Sequence, residues 1–332
     1  MAAANATSPA LLVSWELYDT ILFTIDLVIL PCISVLGIAG NVTGIIALAR
    51  EGFRKCSNVL LFSLSISNLI YLIGVNKIFE YIYTSRNPSG FYFSEAVNYT
   101  CYILYLVWGL LSSLGGLTCP LIPLLITVER ILVIFYPFKA FLILTPRRII
   151  ILLICVYVLL TIYMLGTLLT IIQLKTYVIK NVSKAVIVRS DLLRNPIIDD
   201  LFTFLRDLTN YLTGIIPLSL ITVGCGIIGL KIIHVTKRRQ KLTSKQIKAN
   251  TKHGITKTTK TLLKICLLYI LCYGNMFFLM LVVDSELLKN ERPLQNVLIR
   301  VQDLIISINC LGDVLIYIAS NKSYWKSLTV CA

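Results

Sequence analysis

Seven stretches of this chain are each long and apolar enough to cross a bilayer, and that narrows the fold before any motif is read. They lie at approximately 22–49, 58–83, 100–134, 149–173, 206–233, 261–283 and 297–320. A hydrocarbon core of about 30 Å is crossed by a helix of about 20 residues. Composition agrees: 57% hydrophobic, 14% charged and a mean hydropathy of +0.83, against roughly half apolar and a quarter charged in ordinary soluble domains. The expected class is an all-α membrane protein, a seven-transmembrane helix bundle spanning 22–320. Residues 1–21 form an N-terminal segment, and 321–332 a short tail with an amphipathic helix around Tyr324-Trp325-Lys326.

Charge placement sets the expected orientation. With the N-terminus outside, nineteen Lys and Arg fall in the cytoplasmic segments and eleven in the outer ones, with Arg130 at a boundary. Acids run the other way: Glu16, Asp19, Glu95, Asp191, Asp199, Asp200, Glu286 and Glu291 all fall outside. Such an excess of basic residues marks the cytoplasmic side. The net charge of +15 therefore calls for anionic membrane lipid and acidic cytosolic partners, and no nucleic acid. Most of it comes from the inner connection at 234–260, which holds Lys237-Arg238-Arg239-Gln240-Lys241 and several threonines.

The N-terminus shows no basic region followed by a small-residue cleavage pattern, so the first span is expected to serve as its own signal anchor. Asn5-Ala6-Thr7 and Asn181-Val182-Ser183 are expected glycosylation sites. Of ten cysteines, Cys101 alone falls near the outer surface, with no outer-loop cysteine to pair with it. Cys331 in the tail is a palmitoylation candidate.

At the foot of the third span stands Glu129-Arg130, with Pro137 and Phe138 just beyond. Charges at the edge of hydrocarbon need partners or a protein interior. The pair reads either as a functional site or as basic punctuation that ends a helix. Other signals fall in order along the chain: Gly40-Asn41, Leu64-Ser65-Ile66-Ser67-Asn68, Pro217, Cys272-Tyr273-Gly274-Asn275 and Asp313-Val314-Leu315-Ile316-Tyr317. In that order and spacing they resemble the rhodopsin-like G protein-coupled receptors over nearly the whole chain.

The resemblance implies a plasma-membrane receptor that converts binding of an extracellular ligand, a peptide or a small chemosensory molecule, into activation of a heterotrimeric G protein. It assigns coupling and activation to Glu129, Arg130, Pro137, Phe138 and Tyr317. It assigns a polar core to Asn41, Asn68, Asn309 and Asp313. The departures are specific. Ile131 stands where the family has tyrosine after the arginine, the fourth span lacks the family tryptophan, and the sixth and seventh lack their prolines. Asn68 and Asp313 exchange the acid and amide that the family places on the second and seventh helices.

Helical arithmetic links two ends of one helix. Ser112 precedes Arg130 by eighteen residues, five turns or about 27 Å along one face. A serine at 112 in place of the family's aspartate argues against a typical monoamine ligand. Thr209, Asn210, Tyr273, Phe277 and Asp303 complete the expected ligand pocket, with ordinary helix packing the alternative for the two aromatics. Asp303 is expected either to hold a cationic group of the ligand or to pair with Lys77.

A membrane transporter or channel remains the alternative, but it calls for paired helix breaks or acids repeated along a pathway, and the interior acids here are few. Both histidines, His234 and His253, lie in the basic inner connection with no nucleophile, cofactor or metal-ligand spacing around them, so neither an enzyme nor a bound metal is expected.

Overall fold

The computed structural model describes residues 12–86, 89, 91–179, 181–242, 255–283, 285, 288 and 291–320. Asn5, His253, Cys331 and the expected amphipathic tail lie outside the described residues.

Among the described residues, seven helices long and apolar enough to span a membrane run over Trp15–Glu51, Cys56–Thr84, Glu95–Phe135, Pro146–Ile171, Pro196–Val235, Thr261–Val283 and Arg292–Ser320. The first, third and fifth begin earlier than the apolar runs at 22, 100 and 206 suggest. Capping side chains set these starts: Ser14 accepts from the Leu17 N–H at 3.3 Å, Ser94 from Val97 at 3.4 Å, and Asn195 from Ile197 at 3.0 Å. A capped helix continues through polar residues that no hydropathy window would include. Pro146 and Pro196 occupy first-turn positions, where a missing N–H costs no helical bond.

Two helices carry π turns, Ile25–Ile29 in the first and Tyr211–Ile215 in the fifth. The second span is broken after Gly74 and resumes at Ile78. Between the fourth and fifth spans the chain forms an antiparallel hairpin of β1 (Ile172–Ile179) and β2 (Val182–Arg189), with Ile172 opposite Arg189 and Ile179 opposite Val182. Asn181 takes φ 61° in its two-residue turn, the left-handed conformation that short hairpin turns require and asparagine tolerates.

The second and third helices approach most closely. A Cβ on Gly74 would lie 2.2 Å from the Ser112 nitrogen, and one on Gly115 would lie 2.5 Å from that of Tyr71. Small residues let backbones meet where lipid supplies no hydrophobic drive for helices to associate. The fourth helix keeps few buried residues and exposes Ile151, Leu159 and Ile162, as a lipid-facing helix should. Tyr269, Leu72, Ile122 and Ile126 fill the interior.

Candidate functional site

Polar groups in the bundle gather at three levels. At one end Glu129 and Arg130 form an ion pair, Arg130 Nε lying 2.8 Å from Glu129 Oε2, with side chains 8% and 12% exposed. The two atoms are off the axis of a good hydrogen bond, so the contact is mainly Coulombic. Pro137 opens a short helix, Pro137–Ile143, that turns away from the third span. On it Phe138 is 88% exposed.

Halfway along, the second, third and seventh helices meet through a buried amide and acid. Asn68 Nδ2 donates to Asp313 Oδ2 at 3.1 Å, and the Cys119 thiol donates to Asn68 Oδ1 at 3.4 Å. Asn41 Nδ2 donates to the carbonyls of Gly37 and Cys310 at 2.8 and 3.3 Å. Asn41, Asn68, Asp313 and Tyr317 border a cavity of about 20 Å³, the scale of a single water. The acid and amide exchanged between helices 2 and 7 are thus in direct contact. Asn309 is buried, but neither of its amide atoms has a partner in the structure.

Toward the hairpin end opens a cavity of about 700 Å³. Ser112, Thr209, Asn210, Tyr273, Phe277 and Asp303 all line it. Tyr273 in its lining stacks on the buried Tyr269, with ring centroids 4.3 Å apart. On one wall the Thr209 and Tyr163 hydroxyls bond at 2.7 Å. Ser112 and Arg130 sit on the same continuous third helix, with Pro120 and Pro123 between them, so cavity and ion pair share one element.

The pairing expected for Asp303 is corrected. Its carboxylate accepts from Arg300 Nη1 at 3.1 Å and from the Tyr71 hydroxyl at 3.4 Å, whereas Lys77 lies 3.8 Å from Glu80. Each cation takes an acid three residues further along the chain, which needs no long side chain held across a helix interface. Arg300 reaches a second acid, Asp26 of the first helix, at 3.6 Å. Sequence reasoning overlooked both Asp26 and Arg300. The signal was present, since each is a charge set inside an apolar run.

The hairpin is tied down by charged and polar side chains. Ser183 donates to Glu95 at 2.7 Å, and Asp191 pairs with Lys175 and, at 3.2 Å, with Arg194. Lys175 is the main reason the Asp191 carboxyl titrates below its ordinary value.

The family described as 7 transmembrane receptor (rhodopsin family) matches residues 40–317. A search of curated proteins gave no significant match. With seven spanning helices, an ion pair at one end of the third and a cavity beside its other half, the chain belongs to the rhodopsin family of seven-transmembrane receptors.

Proposed function

We propose that the chain is a plasma-membrane receptor whose hairpin end and N-terminus face outward, whose ligand occupies the 700 Å³ cavity, and whose Arg130 end engages a heterotrimeric G protein. One observation carries this reading: the third helix runs without interruption from the cavity wall at Ser112 to Arg130. A volume of this size suits a drug-sized molecule or the end of a peptide. Its walls supply aromatic surface from Tyr273 and Phe277 and polar contacts from Ser112, Thr209, Asn210 and Asp303.

The mechanism is a shift of population. A ligand that binds the signalling arrangement more tightly than the resting one moves the equilibrium by the difference in the two affinities. Arg130, parted from Glu129, then meets the G protein together with Phe138, and Asn68 with Asp313 passes the change between the second and seventh helices. Asn181, in the hairpin turn, is the proposed glycan site on the outer face.

The test reconstitutes the purified chain in nanodiscs with a panel of G protein heterotrimers and measures nucleotide exchange against a library of short peptides and small volatile molecules. Exchange that rises with a ligand and disappears in Arg130→Ala supports the reading. Substrate flux in vesicles with no exchange on any heterotrimer would replace it with transport.

A further inference from the structure

Arg300 is shared between two acids, and one of them is left incomplete. Asp303 lines the cavity and holds the closer contact, at 3.1 Å. Asp26 lies 3.6 Å from Arg300 Nε on the far side and is 4% exposed; its second oxygen, Oδ1, has no partner. Asp26 sits in the π turn of the first helix, a local widening that is frequent where a helix carries a functional side chain.

The charges around this point do not balance. Counted by formal charge, Asp26, Glu80 and Asp303 supply three negative charges and Lys77 and Arg300 two positive ones, an excess of one negative charge. The other charged pair on the cavity wall, Arg206 with Asp207, cancels itself. A buried excess charge is costly unless a counter-ion completes it, and the cavity is where one can enter.

We propose that Asp303, Arg300 and Asp26 form a relay: a cationic group of the ligand, an amine or guanidinium, takes Asp303 from the cavity side, and Arg300 passes to the waiting oxygen of Asp26. The ligand's charge neutralises the cluster. Arg300 gains a two-oxygen contact with Asp26, the arrangement its planar fork favours, and the first helix is drawn onto the seventh. The ligand class rests on the receptor reading above, but both tests run on purified protein without a G protein, so their failure is distinct from failure of that reading.

The first test places a cysteine at Ile306, one turn below Asp303 on the cavity wall. Labelling rates are compared for trimethylammonioethyl and sulfonatoethyl methanethiosulfonate, each corrected for its rate with a free thiol and for the parent chain's own cysteines. Ile306→Cys should favour the cationic reagent by about tenfold, the scale of one poorly screened charge. Adding Asp303→Asn should bring the ratio near unity, and adding Arg300→Gln should raise it. A ratio near one in Ile306→Cys, or one that Asp303→Asn leaves unchanged, overturns the cation site.

The second test concerns the transfer itself. Thermal unfolding of Asp26→Asn, Arg300→Gln and the double variant gives their coupling, first with Asp303 intact and then with Asp303→Asn standing in for a neutralised Asp303. The relay requires the Asp26–Arg300 coupling to grow when Asp303 is neutralised. Coupling that stays equal or shrinks overturns it.

Discussion

The two ends of the bundle solve the problem of charge in a membrane differently. At the Arg130 end a single acid and a single base stand next to each other in the chain, close to 2.8 Å, and balance. At the hairpin end Arg300 is shared between Asp303 at 3.1 Å and Asp26 at 3.6 Å, Lys77 pairs with Glu80 at 3.8 Å, and one Asp26 oxygen has no hydrogen-bond partner. The first arrangement is local, made between neighbours within one turn of helix. The second exists only once the first, second and seventh helices have packed. A closed pair is suited to hold a state until something pulls it apart, whereas an open cluster is suited to receive a charge from outside.

The largest effect that bears on this contrast is expected from Arg300→Gln, which leaves Asp26 buried without a counter-ion. Breaking a buried pair in this way costs about 3–5 kcal/mol, to be read as a fall in the unfolding temperature of the purified protein. Adding Asp26→Asn should restore most of it. An unaltered unfolding temperature in Arg300→Gln would show that the cluster does not hold the helices together.

Between the two ends, Asn68 and Asp313 form an acid–amide bridge whose parts should be exchangeable. Asn68→Asp alone brings two acids together and Asp313→Asn alone leaves no acid, so each should reduce ligand-stimulated nucleotide exchange. Both together should recover part of it, with a coupling of about 0.5–3 kcal/mol for residues in direct contact. Losses that simply add, at equal surface expression, would separate the two residues.

At the Arg130 end, Glu129→Gln should raise ligand-free exchange by about fivefold, the low end of the range for coupled sites. Arg130→Ala should abolish stimulated exchange with surface expression retained. If neither changes signalling, the pair merely ends the helix, and the contrast between holding and receiving ends disappears.

The smallest effect concerns the exposed charges of the hairpin. Lys175 holds the Asp191 carboxyl below its ordinary value, so its contribution is fully present above the usual carboxylate range and is lost as pH falls through the lower folded value. Protection of strand amides from hydrogen exchange should stay level from about pH 8 to 5 and weaken below about pH 4. Asp191→Asn should remove that dependence, and an unchanged profile in the variant would assign the weakening to other groups.

Much of this was legible in the chain. Seven apolar runs dictated seven helices because a backbone in lipid has to satisfy itself. Glu129 and Arg130 were readable as a pair because neighbours need no fold to meet. Ser112 and Arg130 were placed on one helix by counting, and the six residues read as a pocket do border one cavity. Where a helix ends was read less well, since Ser14, Ser94 and Asn195 extend helices through polar residues. The hairpin at 172–189 was missed because its pairing is made between strands and is only weakly marked in either one.

Only the tertiary structure decided which charges meet. The sequence offers Lys77 as the protein partner of Asp303, whereas the structure pairs Asp303 with Arg300 on its own helix and leaves Lys77, in the break of the second span, beside Glu80. The approach of Gly74 to Ser112, the contact of Asn68 with Asp313 and the unfinished coordination of Asp26 likewise depend on distances across helices. The sequence by itself determined the solvent, the number of spans and the pairing of the adjacent Glu129 and Arg130. Interactions between helices depend on how each rotates about its axis and how closely it packs, and those are fixed by all the contacts at once.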